Sequence, residues 1–274
     1  MTWFGIPVPV MPSPETCPRL SHSLNGPPVG VPLVFVNGLG GVQAAFAHQV
    51  RYFGATRQVL TYDHRGAGGS EMVDAPVTMR DFASDLVGLM DELGISQADL
   101  VGLSFGGRVV QELALGWPDR VRKAVLCGTS AGGKLHEAGD ARAHELLRTL
   151  ATSDARVWAE TVAPVLFGER YRSRHPDRIQ ALARWRARHR PDPVGIRRQW
   201  EAWDGFDLVG QLIEIRVPIL VIHGVEDGLS PVSNAEKLAD TIPGACLRLL
   251  DGVGHSPNVE DPDRFNQLIE EFLG

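Results

Sequence analysis

Three short stretches of this 274-residue chain hold residue types that can perform nucleophilic chemistry together: Ser104 in "GLSFGG", Asp227 in "VIHGVEDGLSP" and His255 in "LLDGVGHSPNVEDP". A serine hydroxyl is a weak nucleophile at neutral pH. It needs an imidazole to take its proton, and the imidazole needs a carboxylate to hold its tautomer and stabilise its cation. Glu226 stands beside Asp227 as a competing acid, and the spacing Gly224-x-x-Asp227 followed by Pro231 favours Asp227. Attack on a carbonyl also needs donors aimed at the developing oxyanion. The backbone N–H of Leu39, in the glycine-rich "VFVNGLGG", and that of Phe105 can converge on one oxygen. Read alone, Gly102-Leu103-Ser104-Phe105-Gly106 is equally a structural strand-to-helix turn. The Asp and His loops are what separate the two readings.

These residues need elements that deliver them to one place. Apolar, partly β-branched runs at 32–36, 58–62, 98–103, 123–127, 217–222 and 245–250 read as strands. Amphipathic stretches alternate with them, as in βαβ units and a parallel sheet with helices on both faces. Phe82, Leu86, Leu89 and Leu93 recur at helical spacing between Thr78, which with Asp81 resembles a capping box, and Gly94. After Ser104 a second apolar stripe, Val109, Val110, Leu113 and Ala114, runs to the "GWP" stop at 116–118. Ser104 therefore sits where strand passes to helix, and Asp227 and His255 follow strands. Functional loops of open α/β sheets gather at that edge. The proline-rich first 30 residues are expected to add one or two edge strands.

From about 131 to 210 the strand pattern gives way to helical spacing rich in Arg, Ala and Trp. This predicts a helical lid inserted between core segments 1–130 and 211–274. The insert carries a net charge of about +3 and the remainder about −9. Trp158, Val162, Leu166, Phe167, Trp185, Trp200, Trp203 and Phe206 are its candidate pocket residues, an apolar lining of the usual kind. The run "RWRARHR" (184–190) and Arg197-Arg198 offer guanidinium groups to an acidic substrate, or form a solvated helix face.

Composition narrows the function. With 43% hydrophobic residues and a net charge of −6, the chain can bury a large core and is ill suited to bind nucleic acid or an anionic membrane. The expected partner is a small molecule. Cys17, Cys127 and Cys246 form no metal-ligand spacing or disulfide framework, which fits a reducing compartment. The N-terminal stretch, broken by four prolines and without early basic residues, is not patterned as a signal peptide, and no apolar run is long enough to span a bilayer. A cytoplasmic protein is expected.

With "VFVNGLGG", "YDHRGAGGS", "GLSFGG", "VIHGVEDGLSP" and "GHSPNVEDPDRF" in order, residues 20–273 resemble the α/β-hydrolase superfamily. The resemblance implies a Ser104-Asp227-His255 triad, an oxyanion hole at Leu39 and Phe105, and a cap inserted after the sixth strand. The family's alternative position for the acid, after 123–127, reads Gly128-Thr129-Ser130 and offers none. In "YDHRGAGGS", Asp63 and Arg65 read as loop braces. Where the family usually has His before the first oxyanion glycine, this chain has Asn37, as in the enol-lactonases similar to it, and Asn37 joins the candidate substrate-binding residues. The resemblance thus implies hydrolysis of an ester or lactone through an acyl-enzyme, with no metal or organic cofactor. Relatives with the same triad also cleave carbon–carbon bonds, act as haloperoxidases or perhydrolases, or serve as slow-turnover receptors. Epoxide hydrolases and dehalogenases place Asp where Ser104 stands.

Overall fold

The computed structural model describes residues 18–148, 154–189 and 191–274. Seven strands form one sheet: β1 (His22–Asn25), β2 (Leu33–Val36), β3 (Val59–Tyr62), β4 (Ala98–Leu103), β5 (Val121–Cys127), β6 (Ile219–Gly224) and β7 (Cys246–Leu250). Their spatial order is β1-β3-β2-β4-β5-β6-β7, parallel throughout except for β1, which pairs antiparallel with β3. β1 is one of the expected edge strands; residues 1–17, Cys17 among them, lie outside the described residues.

Parallel neighbours require crossovers, here mostly helices. α1 (Ala47–Phe53), α2 (Met79–Glu92) and α3 (Phe105–Gly116) lie among the first strands. Six more fill the connection between β5 and β6: α4 (Ala141–Arg148), α5 (Ala155–Thr161), α6 (Ala163–Leu166), α7 (Glu169–Arg174), α8 (Pro176–Arg188) and α9 (Pro193–Asp204). α10 (Val232–Thr241), α11 (Pro257–Glu260) and α12 (Pro262–Leu273) complete the chain. The capping box at α2 is formed: the Thr78 side chain accepts from the Asp81 N–H, and Asp81 accepts from the Thr78 N–H.

β2 shows why its sequence is a continuous apolar run. Val34 and Val36 lie on one face, in the cluster that holds Phe82 and Leu86 of α2 and Val109 and Leu113 of α3. Leu33 and Phe35 pack on the other with Phe53 of α1 and Phe265 and Leu268 of α12. A strand covered on both faces has no polar side to present.

The helices between β5 and β6 bury a separate cluster of Trp158, Val162, Phe167, Tyr171, Ile179 and Trp200, against which Leu39 and Val259 also pack. We refer to them as the cap; it follows the fifth described strand. The cap's two ends meet where Gly132 bridges Asp207. A Cβ on Gly132 would lie 2.0 Å from the Phe206 carbonyl oxygen, and its φ is +71°, so both space and conformation require glycine there. Among the described residues no helix is long and apolar enough to cross a membrane.

Candidate active site

β4 leads into Ser104, whose φ of 55° makes it the only non-glycine among the described residues with a positive φ. Such a conformation costs roughly 1–3 kcal/mol and persists only where the surroundings enforce it. Here the Ser104 N–H donates to the Cys127 carbonyl at 2.7 Å, and the Gly107 N–H to the Ser104 carbonyl at 3.0 Å. Gly106 is pressed against the end of β2: a Cβ there would fall 2.1 Å from the Val36 carbonyl oxygen. The loop after β2 also passes close to the serine, since a Cβ on Gly38 would lie 3.6 Å from Ser104 Cβ. Among the described residues neither the Leu39 nor the Phe105 N–H has a hydrogen-bond partner. Phe105 opens α3, where backbone N–H groups and the helix dipole favour negative charge.

Asp227 and His255 come together from the loops after β6 and β7. His255 Nδ1 donates to Asp227 Oδ2 at 2.7 Å, which leaves Nε2 as the free ring nitrogen. The second carboxylate oxygen accepts the N–H groups of Leu229 and Ser230, each at 2.9 Å. Burial opposes ionisation of Asp227, but the charge of His255 and hydrogen bonds from His223 and His255 outweigh it and hold the carboxyl well below its usual range. Burial likewise disfavours the His255 cation, and the Asp227 carboxylate more than offsets this, raising the imidazole above its ordinary value. Glu226 faces elsewhere and accepts the Glu169 N–H of the cap at 2.7 Å.

Ser104 and His255 line one cavity of about 410 Å³, without a hydrogen bond between their side chains. Such bonds often tighten only with substrate present. Leu39, Asn37, Trp158, Leu166, Trp185 and Trp203 border the same cavity, with Phe167 and Trp200. Val162 and Phe206 do not: Val162 is wholly enclosed in the cap's own cluster, and Phe206 joins the main core beneath the Arg108 guanidinium. Asn37 lines the cavity, but its amide donates to the Tyr62 carbonyl at 2.9 Å, so it also braces its loop. Among the described residues no three His, Cys, Asp or Glu side chains gather into a group that can hold a metal ion.

The model of the alpha/beta hydrolase fold family matches residues 31–262. The chain belongs to this family. The hydrolase is 31% identical to 3-oxoadipate enol-lactonase 2 of Acinetobacter baylyi over 88% of each chain. It is also 31% identical to a Caulobacter vibrioides protein named as the carbamate hydrolase RutD, over 94% of this chain and 96% of that one. The crystal structure of the enol-lactonase from Burkholderia xenovorans superposes with a TM-score of 0.83 at 31% identity, covering 94% of this chain and 97% of that one.

Several residues that shape the site of this hydrolase carry little sequence signal. His223, fully buried in β6, donates Nε2–H to the Ser230 carbonyl at 2.7 Å and lies 3.2 Å from Asp227 Oδ2, so Asp227 is flanked by two imidazoles. His64, beside Asp63 in "YDHRG", hydrogen-bonds the Asn37 carbonyl at 3.0 Å; burial lowers its pKa to about 4, so it stays neutral. Glu260 of α11 accepts the N–H groups of Gly254 and Ser256 on the His255 loop and of Gly168 in the cap. The cap also holds both loops through its backbone: His255 N–H donates to the Leu166 carbonyl at 2.8 Å, and Gly228 N–H to the Val165 carbonyl at 3.0 Å. A periodicity search misses all of these because their partners are mostly backbone groups distant in sequence. Asp63 and Arg65 serve as the loop braces expected of them, Asp63 accepting from the Gln43 and Gly69 N–H groups and Arg65 pairing with Asp85.

Proposed function

We propose that this chain is a serine hydrolase of carboxylic esters or lactones, acting on a small and largely apolar substrate through an acyl-enzyme. The observation that carries the reading is the convergence of Ser104, on its left-handed turn, and His255, already bonded to Asp227, on one cavity. In this reading His255 Nε2 takes the Ser104 proton as Oγ attacks the carbonyl carbon. The Leu39 and Phe105 N–H groups receive the oxyanion, and their lack of other partners among the described residues supports that role. The imidazolium, stabilised by Asp227, then protonates the leaving oxygen. Water, activated by the same base, attacks the acyl-enzyme and releases the acid. No step calls for a metal or an organic cofactor.

The predominantly aromatic and aliphatic lining supports an apolar acyl or alcohol portion. The division into a hydrolase core, 1–130 and 211–274, and a cap, 131–210, assigns chemistry to the first and substrate choice mainly to the second. Kinship with an enol-lactonase and a protein named as a carbamate hydrolase supports cleavage of a bond between a carbonyl and a heteroatom. A panel of p-nitrophenyl esters, lactones and carbamates tests the reading with Ser104→Ala as control. Turnover of at least one class, reduced by about a thousandfold or more in the variant, is expected. Hydrolysis unchanged in Ser104→Ala refutes it.

A further inference from the structure

Arg190 of the 184–190 run lies outside the described residues, and the fold treats the run's other three arginines differently. Arg184 and Arg188 are exposed, whereas Arg186 is partly buried and lines the Ser104 cavity. Its guanidinium stands 5.3 Å from the centre of the Trp158 ring, and it also borders a neighbouring cavity of about 630 Å³. Among the described residues no carboxylate lies within ion-pair distance of it; burial alone pulls its pKa down to about 10, with no acid acting in opposition. Asp63 and Asp192 border the neighbouring cavity, but each already accepts two backbone N–H groups. Arg197 and Arg198, the other sequence candidates, are paired instead with Asp74 and Glu201.

A guanidinium remains charged at any working pH, and removing it from water without a counter-ion is unfavourable. The Trp158 face offsets part of that cost as a cation–π contact. A leucine or methionine would fill the same space without the penalty. What distinguishes arginine is a planar fork of donors that matches a carboxylate with two parallel hydrogen bonds. We infer that the substrate carries a carboxylate apart from its scissile carbonyl, and that Arg186 receives it. The inference rests on the serine-hydrolase reading and names the substrate class of that site.

The test compares two esters of equal acyl length, the mono-4-nitrophenyl ester of glutaric acid and 4-nitrophenyl pentanoate, in the wild type and in Arg186→Met and Arg186→Lys. The wild type is expected to prefer the charged ester at least tenfold in kcat/KM. That ratio should fall about 10- to 100-fold in Arg186→Met, mainly through KM, as expected for losing hydrogen bonds to a charged group, and Arg186→Lys should lie between. A wild-type ratio near one, or a ratio unchanged in Arg186→Met, overturns the inference while leaving the hydrolase reading intact. Calorimetry with glutarate reads the same residue without catalysis: binding by the wild type that is lost in Arg186→Met supports the inference, and binding absent from the wild type or kept in Arg186→Met opposes it. If neither ester is turned over, the panel of esters, lactones and carbamates judges the hydrolase reading, and glutarate binding still decides the role of Arg186. Circular dichroism checks folding of each variant, with Arg186→Gln as the replacement if Arg186→Met does not fold.

Discussion

The sheet edge and the cap meet over the same cavity, yet they are built by different means. At the sheet edge, backbone hydrogen bonds and close packing fix each candidate side chain: Ser104 by the Cys127 carbonyl and Gly106, Asp227 by two N–H groups, His255 by Asp227. In the cap, Trp158, Trp185, Trp200 and Trp203 border the cavity as parts of packed helices, without a comparable mesh of hydrogen bonds around each. The difference teaches where precision is needed. Bond-making atoms tolerate displacements of a fraction of an ångström, whereas an apolar wall need only exclude water and match a shape. Changes at the sheet edge should therefore collapse turnover or folding, and changes in the cap should shift substrate preference.

Asp227→Asn gives the sharpest break. Loss of the carboxylate should lower kcat by roughly a thousandfold to ten-thousandfold, the scale known for the equivalent change in a serine triad, while the melting profile remains cooperative. Gly106→Ala tests packing rather than chemistry. A methyl group 2.1 Å from the Val36 oxygen has nowhere to go, so stability should fall by about 3 kcal/mol or more in urea titration. An unaltered midpoint would show that the turn has room to adjust.

Smaller effects refine the comparison. His255 must be neutral to act as base, and Asp227 raises its pKa above the ordinary value. kcat/KM should accordingly fall up to tenfold per pH unit as acid takes the pH below that raised pKa, and residual activity in Asp227→Asn should show its acidic limb at lower pH. His223→Asn removes one of the two imidazoles beside Asp227. A loss of about tenfold in kcat, with KM little changed and a displaced acidic limb, separates positioning of the acid from simple destabilisation. Trp185→Ala, at a partly exposed wall, should change KM only a few-fold and broaden the acceptable acyl length. A collapse in kcat there would mean that the cap takes part in the chemistry.

The parallel strands were legible because strands covered on both faces are written as unbroken apolar runs. The runs at 32–36, 58–62 and 98–103 match β2, β3 and β4 to within a residue. β5 begins earlier than its apolar run, at Val121, because Arg122 pairs with Asp99 and Lys123 reaches the carbonyls of Phe272 and Leu273, so two charged residues sit comfortably in the strand. β6 begins later than its run, at Ile219, since Pro218 has no N–H to give to a ladder. Ser104, Asp227 and His255 stood out by residue type and position, and the structure gathers them. Pocket residues were legible only in part: helical spacing shows that Val162 and Phe206 face inward, but not whether inward means cavity or core. His223 and Glu260 were hidden because a buried polar residue is explained by its partners, and those lie in other loops.

The pairing of Gly132 with Asp207 has a further consequence. The chain departs from the sheet layer and returns to it at one point, like a drawer that opens and shuts on a single frame. A segment with adjoining ends can be exchanged for one of another length at little loop-closure cost and without shifting the register of any strand. Whatever replaces 133–206 inherits a few obligations, among them to present acceptors to the N–H groups of Gly228 and His255 where Val165 and Leu166 now stand, and donors to Glu226 and Glu260 where Glu169 and Gly168 now stand. Substrate range can drift in such a scaffold while its reaction stays put.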